Sequence, residues 1–173
     1  LLFIFKEQQG ARFVQQEIVY KNGIKDYVNE TVGEERLSSV QFWQTERKGK
    51  DREDKPEYKV KINTALCFSN RHTLKEYYHN SSWLEYGGVP EKATRSAFVS
   101  QIDAYIKQSG KYKSNESKIT FSDIEECLVL VISSFSTVTS YENQTKKAIT
   151  NKFIYEAMTD FLRHQLEVYF IEN

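Results

Sequence analysis

Residues Leu128-Val129-Leu130-Val131-Ile132 run apolar without a break and continue through Ser133-Ser134-Phe135. A β-branched run of this kind presents apolar side chains to both sides of a strand, so the strand belongs inside a sheet covered on both faces. Tyr58 to Phe68 gives the complementary signal. There Tyr58, Val60, Ile62, Thr64, Leu66 and Phe68 alternate with polar or small residues, which fixes the register of a second strand because a slip by one residue would turn the whole set over.

The remaining elements are read around these two strands. Leu1 to Lys6 and Arg12 to Tyr20 are β-type runs joined by Glu7-Gln8-Gln9-Gly10, a hairpin pattern. Ile24, Tyr27 and Val28 follow Asn22-Gly23 at helical spacing, predicting a short helix to about Glu30, and Ser39 to Thr45 alternates as a strand. Glu46 to Glu57 is almost entirely charged or polar and reads as a solvated turn; Asn70 to Pro90, aromatic-rich and broken by Gly87-Gly88, reads as a packed loop with no regular element. From Glu91, apolar residues at Ala93, Ala97, Phe98, Ile102, Tyr105 and Ile106 predict a helix ending near Ser109-Gly110. Ser122-Asp123-Ile124-Glu125 has the form of a capping box for a short helix, and a long last helix begins near Thr150. The order implies one α+β domain over residues 1–173, with helices packed on a sheet of four or five strands.

A chain of 173 residues is long enough for a single core without metal or disulfide staples. Twenty-four basic and 24 acidic residues cancel, so any anion site must be local and not a whole-domain basic field. Cys67 and Cys127 lie in apolar stretches and read as reduced, buried thiols of a cytoplasmic protein. The opening Leu1 to Phe5 is too short for a membrane span or signal sequence, and it starts in mid-pattern as in a piece of a longer protein. No phosphate-loop, dinucleotide, nucleophile-elbow, zinc-protease or paired-cysteine motif occurs, and His72, His79 and His164 are too dispersed for a metal site.

One segment carries chemistry. Ser140-Tyr141-Glu142-Asn143-Gln144-Thr145-Lys146-Lys147-Ala148-Ile149-Thr150-Asn151 is a polar loop between the buried strand and the last helix, a position where ligand sites concentrate. Its lysines can place an ammonium on a phosphate oxygen while a neighbouring glutamine adds an orienting hydrogen bond. On Gln144-Thr145-Lys146 alone, a tripeptide too short to be specific, a solvated lysine pair at a helix entry is the favoured reading.

The loop resembles the F-E-G-Q-T-K-x-x-L-x-N stretch in the transducer domain of type IIA topoisomerase ATPase subunits, the gyrase B-type subunit and its topoisomerase IV counterpart. Gln144, Thr145, Lys146 and Asn151 fall in matching places. Tyr20 to Val28 resembles the family's Y-x-G-G-I-x-x-F-V, Lys59 to Asn70 its following strand, Gly87-Gly88 with Arg95-Ser96-Ala97 its G-G-T-H-x-x-G-F-R-A-A, and Phe121 to Leu128 its l-x-G-x-D-v-r-E-G-L. Val89-Pro90 departs from Thr-His, the aromatic-rich stretch from about Leu74 to Tyr86 reads as an insertion, and Ser100 stands where the gyrase pattern has a second helix arginine.

The resemblance implies a ribosomal-protein-type fold with a left-handed βαβ crossover and a long C-terminal helix. It implies that Gln144, Thr145 and Lys146 reach ATP held mainly by a preceding N-terminal ATPase domain, with Lys146 on the γ-phosphate and Lys147 a weaker candidate, and that Arg95 contacts a DNA duplex. Lys107, Lys111, Lys113 and Lys118 form a further basic patch along the sequence. The intact enzyme would be a magnesium-dependent dimer working with an A-type subunit that carries the catalytic tyrosine, with no membrane association; the isolated fragment would be inactive. Other readings are a non-catalytic nucleic-acid or protein-binding module of the same fold, or the middle domain of a mismatch-repair or chaperone-type ATPase.

Overall fold

A computed structural model describes residues 2–173; Leu1, the first residue of the expected hairpin, lies outside them. The elements are β1 (Leu2–Gln9), β2 (Arg12–Val19), α1 (Ile24–Val32), β3 (Gln41–Gly49), β4 (Tyr58–Phe68), β5 (Leu74–His79), β6 (Ser82–Trp83), α2 (Val89–Gln108), α3 (Phe121–Glu125), β7 (Leu128–Ser136) and α4 (Lys152–Glu172). Strands β3 to β7 form one mixed sheet in the order β3-β4-β7-β5-β6, with β5 parallel to β7 and the other neighbours antiparallel.

The doubly apolar strand β7 occupies the middle of the sheet, and successive residues feed two separate cores. Leu128, Leu130 and Ile132 join Val60, Ile62 and Leu66 of β4 beneath α2 and α4, packing with Phe98, Ile154, Met158 and Leu162. Val129 and Val131, with Ala65 and Cys67, turn to the opposite face against Val28 and Val32 of α1. Burial on both faces explains why this segment carries no polar alternation.

Four expectations are corrected. Asn70 to Pro90 is not an irregular loop: it contains β5 and β6, so the sheet reaches five strands without the N-terminal hairpin, which forms its own two-stranded sheet. β5 was hidden because Tyr77 and Tyr78 are both apolar enough for either face; Tyr77 enters the α2–α4 core and Tyr78 packs on the α1 side. The β5–β6 turn uses Asn80 and Ser81 at positive φ, 48° and 66°, with no glycine to announce it. Second, β3 extends through Gly49, shortening the solvated turn, because Glu46, Arg47 and Lys48 pair with β4 along an exposed edge. Third, the capping box is Thr120 with Asp123, two residues earlier than Ser122 with Glu125. Glu125 ends α3 and pairs with Lys75 instead. Fourth, Cys127 is only half-buried; both cysteines are free thiols.

Candidate functional site

The loop after β7 folds as a tongue. Thr150 N–H donates to the Ser140 carbonyl at 2.8 Å and Glu142 N–H to the Ala148 carbonyl at 3.0 Å, and Tyr141 and Ile149 form an antiparallel bridge between them. Ala148 and Ile149 are fully buried, whereas Asn143 to Lys146 form an exposed tip. The tip is organised by Asn143, whose side-chain oxygen accepts from the Thr145 N–H at 3.1 Å and from the Thr145 hydroxyl, an Asx-type turn. Lys146 then adopts the left-handed region at φ 59° and donates its N–H to the Asn143 carbonyl.

The stem is clamped to α4 and to the β3–β4 turn by a polar cluster. Asn151 accepts the Ser140 N–H at 2.7 Å and donates to Asp51 at 2.9 Å and to the Tyr58 hydroxyl at 3.1 Å. Asp51 accepts in turn from the Tyr58 hydroxyl and from the Phe153 N–H, both at 2.9 Å. Burial, and the hydrogen bond to Asp51, push the Tyr58 hydroxyl well above its ordinary pKa, so it stays a proton donor at neutral pH. Asp51 and Tyr58 are site-building residues that sequence reasoning missed. Asp51 sits in the run Lys50-Asp51-Arg52-Glu53-Asp54, where composition cannot say which carboxylate folds inward.

A second anchor joins the tongue to the turn before α2. Val89 N–H donates to the Ile149 carbonyl and Tyr86 N–H to the Lys147 carbonyl, each at 3.0 Å. Lys147 pairs with Glu85 and lies over the Tyr86 ring. The close approach requires Gly88, as a Cβ there would stand 2.6 Å from the Ile149 carbonyl oxygen.

The two lysines of the loop are thereby told apart. Lys147 is held by a carboxylate; Lys146 has no carboxylate partner among the described residues and rests 5.8 Å from the Tyr141 ring centroid. Gln144, Thr145 and Lys146 are brought together at one exposed tip. Arg95 does not join them. It lies on α2, where its guanidinium donates twice to Glu91 at 2.9 and 2.8 Å and covers the Phe121 ring at 4.5 Å. Of the expected lysine patch, Lys107 and Lys118 both converge on Asp103, at 2.7 and 3.4 Å, and Lys107 first among its partners holds that carboxyl below its usual range.

A family model described as DNA gyrase B matches residues 23–173. The chain belongs to the DNA gyrase B family. It is 26% identical over 174 residues to the B-type subunit of DNA gyrase from Mycoplasmoides gallisepticum, covering 99% of this chain and 27% of that protein. It is 22% identical over 152 residues to the B-type subunit of DNA topoisomerase 4 from Rickettsia prowazekii, covering 87% of this chain and 22% of that protein. The chain thus spans about a quarter of the length of the curated relatives it matches. In fold it is similar to the 43K ATPase domain of Thermus thermophilus gyrase B, solved with an aminocoumarin, with a TM-score of 0.70 at 19% identity over 100% of this chain and 44% of that one. The topoisomerase IV ATP-binding domain of Francisella tularensis, solved with a small-molecule inhibitor, gives the same score over 92% of this chain and 41% of that one.

The family match contains the whole five-stranded sheet, the tongue and both long helices, and it begins after the β1–β2 hairpin. Among the described residues no helix is long and apolar enough to cross a membrane.

Proposed function

We propose that residues 1–173 form the transducer domain of the B-type subunit of an ATP-dependent type II DNA topoisomerase, whose Lys146 reads the γ-phosphate of ATP bound mainly by a preceding domain. The observation that carries this is the uncompensated Lys146 at the exposed tip of a tongue whose stem is fixed on both sides. Membership of the DNA gyrase B family supports the assignment.

The residues of the chain divide the work. The Lys146 ammonium donates charge-assisted hydrogen bonds to phosphate oxygens, the Gln144 carboxamide orients the same group, and the Thr145 hydroxyl joins it by turning its proton from Asn143 to the phosphate while the Thr145 N–H keeps the Asn143 turn. The contact exists with ATP and is lost once the γ-phosphate has left, so it favours one arrangement of the domain pair by the difference in affinity between the two states. Displacement of the tip passes to α4 through Asn151 and to α2 through Ile149–Val89 and Lys147–Glu85, and the helices carry it to the DNA gate and strand passage. Arg95 would exchange the Glu91 carboxylate for a DNA phosphate. The exposed apolar side chains Phe3, Phe5 and Phe13 of the hairpin suit a contact with the N-terminal ATPase domain of the same chain. Magnesium, the A-type subunit and dimerisation belong to the intact enzyme.

The test is equilibrium binding to the intact chain of a non-hydrolysable ATP analogue against ADP, with wild type and Lys146→Ala. A charged hydrogen bond of about 1.5–3 kcal/mol corresponds to roughly 10–150-fold in affinity. Lys146→Ala is expected to lose that much of the preference for the triphosphate, whereas an unchanged ratio would remove Lys146 from the site.

A further inference from the structure

The N-terminal stem of the tongue is held by a group that the phosphate-reading chemistry does not use. His79, the last residue of β5, is completely buried. Its Nδ1 lies 2.8 Å from the Ser134 hydroxyl on β7, and its Nε2 lies 2.8 Å from the Thr139 hydroxyl and 3.2 Å from that of Ser136. Thr139 immediately precedes Ser140, where the tongue begins.

The proton positions in this cluster follow from its other bonds. The Ser134 hydroxyl donates to the Tyr78 carbonyl at 3.2 Å, so toward His79 it accepts, and Nδ1 carries the proton. The Ser136 hydroxyl donates to the Val138 carbonyl at 2.7 Å, which leaves the Thr139 hydroxyl as the donor to Nε2. Asn80 completes the arrangement: its amide donates to the Ser136 carbonyl at 3.1 Å and to the Thr139 oxygen at 3.3 Å, and its carbonyl accepts the Ser136 N–H at 3.0 Å. The hydrogen-bonded neighbours of the ring are all uncharged, and burial draws the imidazole pKa down to about 4, so the ring is neutral and Nε2 remains an acceptor at physiological pH.

We infer that His79 is a positioning residue: by accepting the Thr139 hydroxyl proton at Nε2 while bonded to β7 at Nδ1, it fixes the direction in which the tongue leaves the sheet and so the place of Lys146. This role rests on the reading of Lys146 as the phosphate ligand. Asn151, Asp51 and the turn before α2 hold the C-terminal side of the stem; on the N-terminal side Ser140 is tied to Asn151 and Thr139 to His79. With Thr139 fixed to β7 through His79, the tip moves with the body of the domain; with it freed, the N-terminal strand of the tongue is held through Asn151 and its pairing with the C-terminal strand, and a phosphate contact is passed on less fully.

The test uses the intact chain, with Thr139→Val, His79→Asn and His79→Gln. Valine keeps the shape of Thr139 and removes the donor. Asparagine can replace Nδ1–H toward Ser134 but falls short of Thr139, whereas glutamine can place its side-chain oxygen where Nε2 accepts. Two readouts are needed: amide hydrogen exchange of residues 140–150, and kcat and KM for ATP. Thr139→Val and His79→Asn are expected to exchange the Glu142 and Thr150 amides about tenfold faster and to lose roughly tenfold in kcat with little change in KM, the ratio set by losing one buried hydrogen bond. His79→Gln is expected to stay within about threefold of wild type on the same scale. Wild-type exchange and kcat in Thr139→Val would overturn the inference, as would a His79→Gln variant that fails as His79→Asn does. Lys146→Ala separates the two roles. Normal turnover in that variant sinks the phosphate-reading role, while the exchange rates in Thr139→Val still decide whether His79 and Thr139 position the tongue.

Discussion

Lys146→Ala is expected to lower ATP turnover by the intact chain by on the order of 10²–10³-fold, the usual consequence of deleting one fixed donor aimed at developing negative charge. The expectation follows from the state of this side chain in the tongue. A lysine already paired with a carboxylate, as Lys147 is with Glu85, must give up that partner before it can meet a phosphate. Lys146 has only a distant aromatic ring to leave. Its backbone is also prepared, since the left-handed conformation at φ 59° costs an L-residue about 1–2 kcal/mol and is held by the Asn143 turn. Lys147→Ala is the comparison: it releases the Glu85 anchor but keeps the phosphate ligand, so turnover falls far less. Steady-state turnover with and without duplex DNA, alongside circular dichroism to verify folding, measures both variants.

Gly88→Ala is expected to destabilise the fold by about 3 kcal/mol or more and to lower the melting temperature by roughly 10 °C. Two costs combine. The residue has φ 70°, which disfavours any side chain, and the added Cβ would stand 2.6 Å from the Ile149 oxygen and 2.7 Å from its nitrogen. These are backbone atoms of a strand-like segment held by Val89 and by the Tyr141 bridge, so no flexible side-chain end can yield. Gly33→Ala isolates the first cost. Gly33 has φ 51° and ψ −130° with nothing within 4 Å of its added Cβ, and about 1–3 kcal/mol is expected for an L-residue held there. Equal melting temperatures for the two variants would show that the tongue does not rest on the α2 turn.

The parts of the fold legible in the sequence are those where periodicity and burial agree. β4 begins at Tyr58 and ends at Phe68 as its alternation indicates, and β7 lies in the sheet centre as its unbroken apolar run requires. β5 was not legible, because Leu74-Lys75-Glu76-Tyr77-Tyr78-His79 has no clear alternation and is specified by parallel pairing with a strand distant in sequence. The capping box moved by two residues for a local reason: Thr120 and Asp123 satisfy the same geometry as Ser122 and Glu125 would.

The candidate site divides in the same way. Gln144, Thr145, Lys146 and Asn151 were legible through a motif. Asp51, Tyr58, His79 and Glu85, which hold the motif in place, come from other segments: the sequence reads Asp51 as part of a solvated turn, Tyr58 as a strand residue, and His79 and Glu85 as part of a packed loop. Their roles arise only when the sheet and the turn before α2 bring them to the tongue.

The phosphate-reading role of Lys146 is tested most directly by amine-reactive labelling of the intact chain, read residue by residue, in the presence of a non-hydrolysable ATP analogue and of ADP. Lys146 is expected to be labelled much more slowly with the ATP analogue than with ADP, while Lys111, exposed beyond the end of α2 opposite the tongue, is labelled equally in both. Equal labelling of Lys146 in the two nucleotide states would contradict a contact with the γ-phosphate.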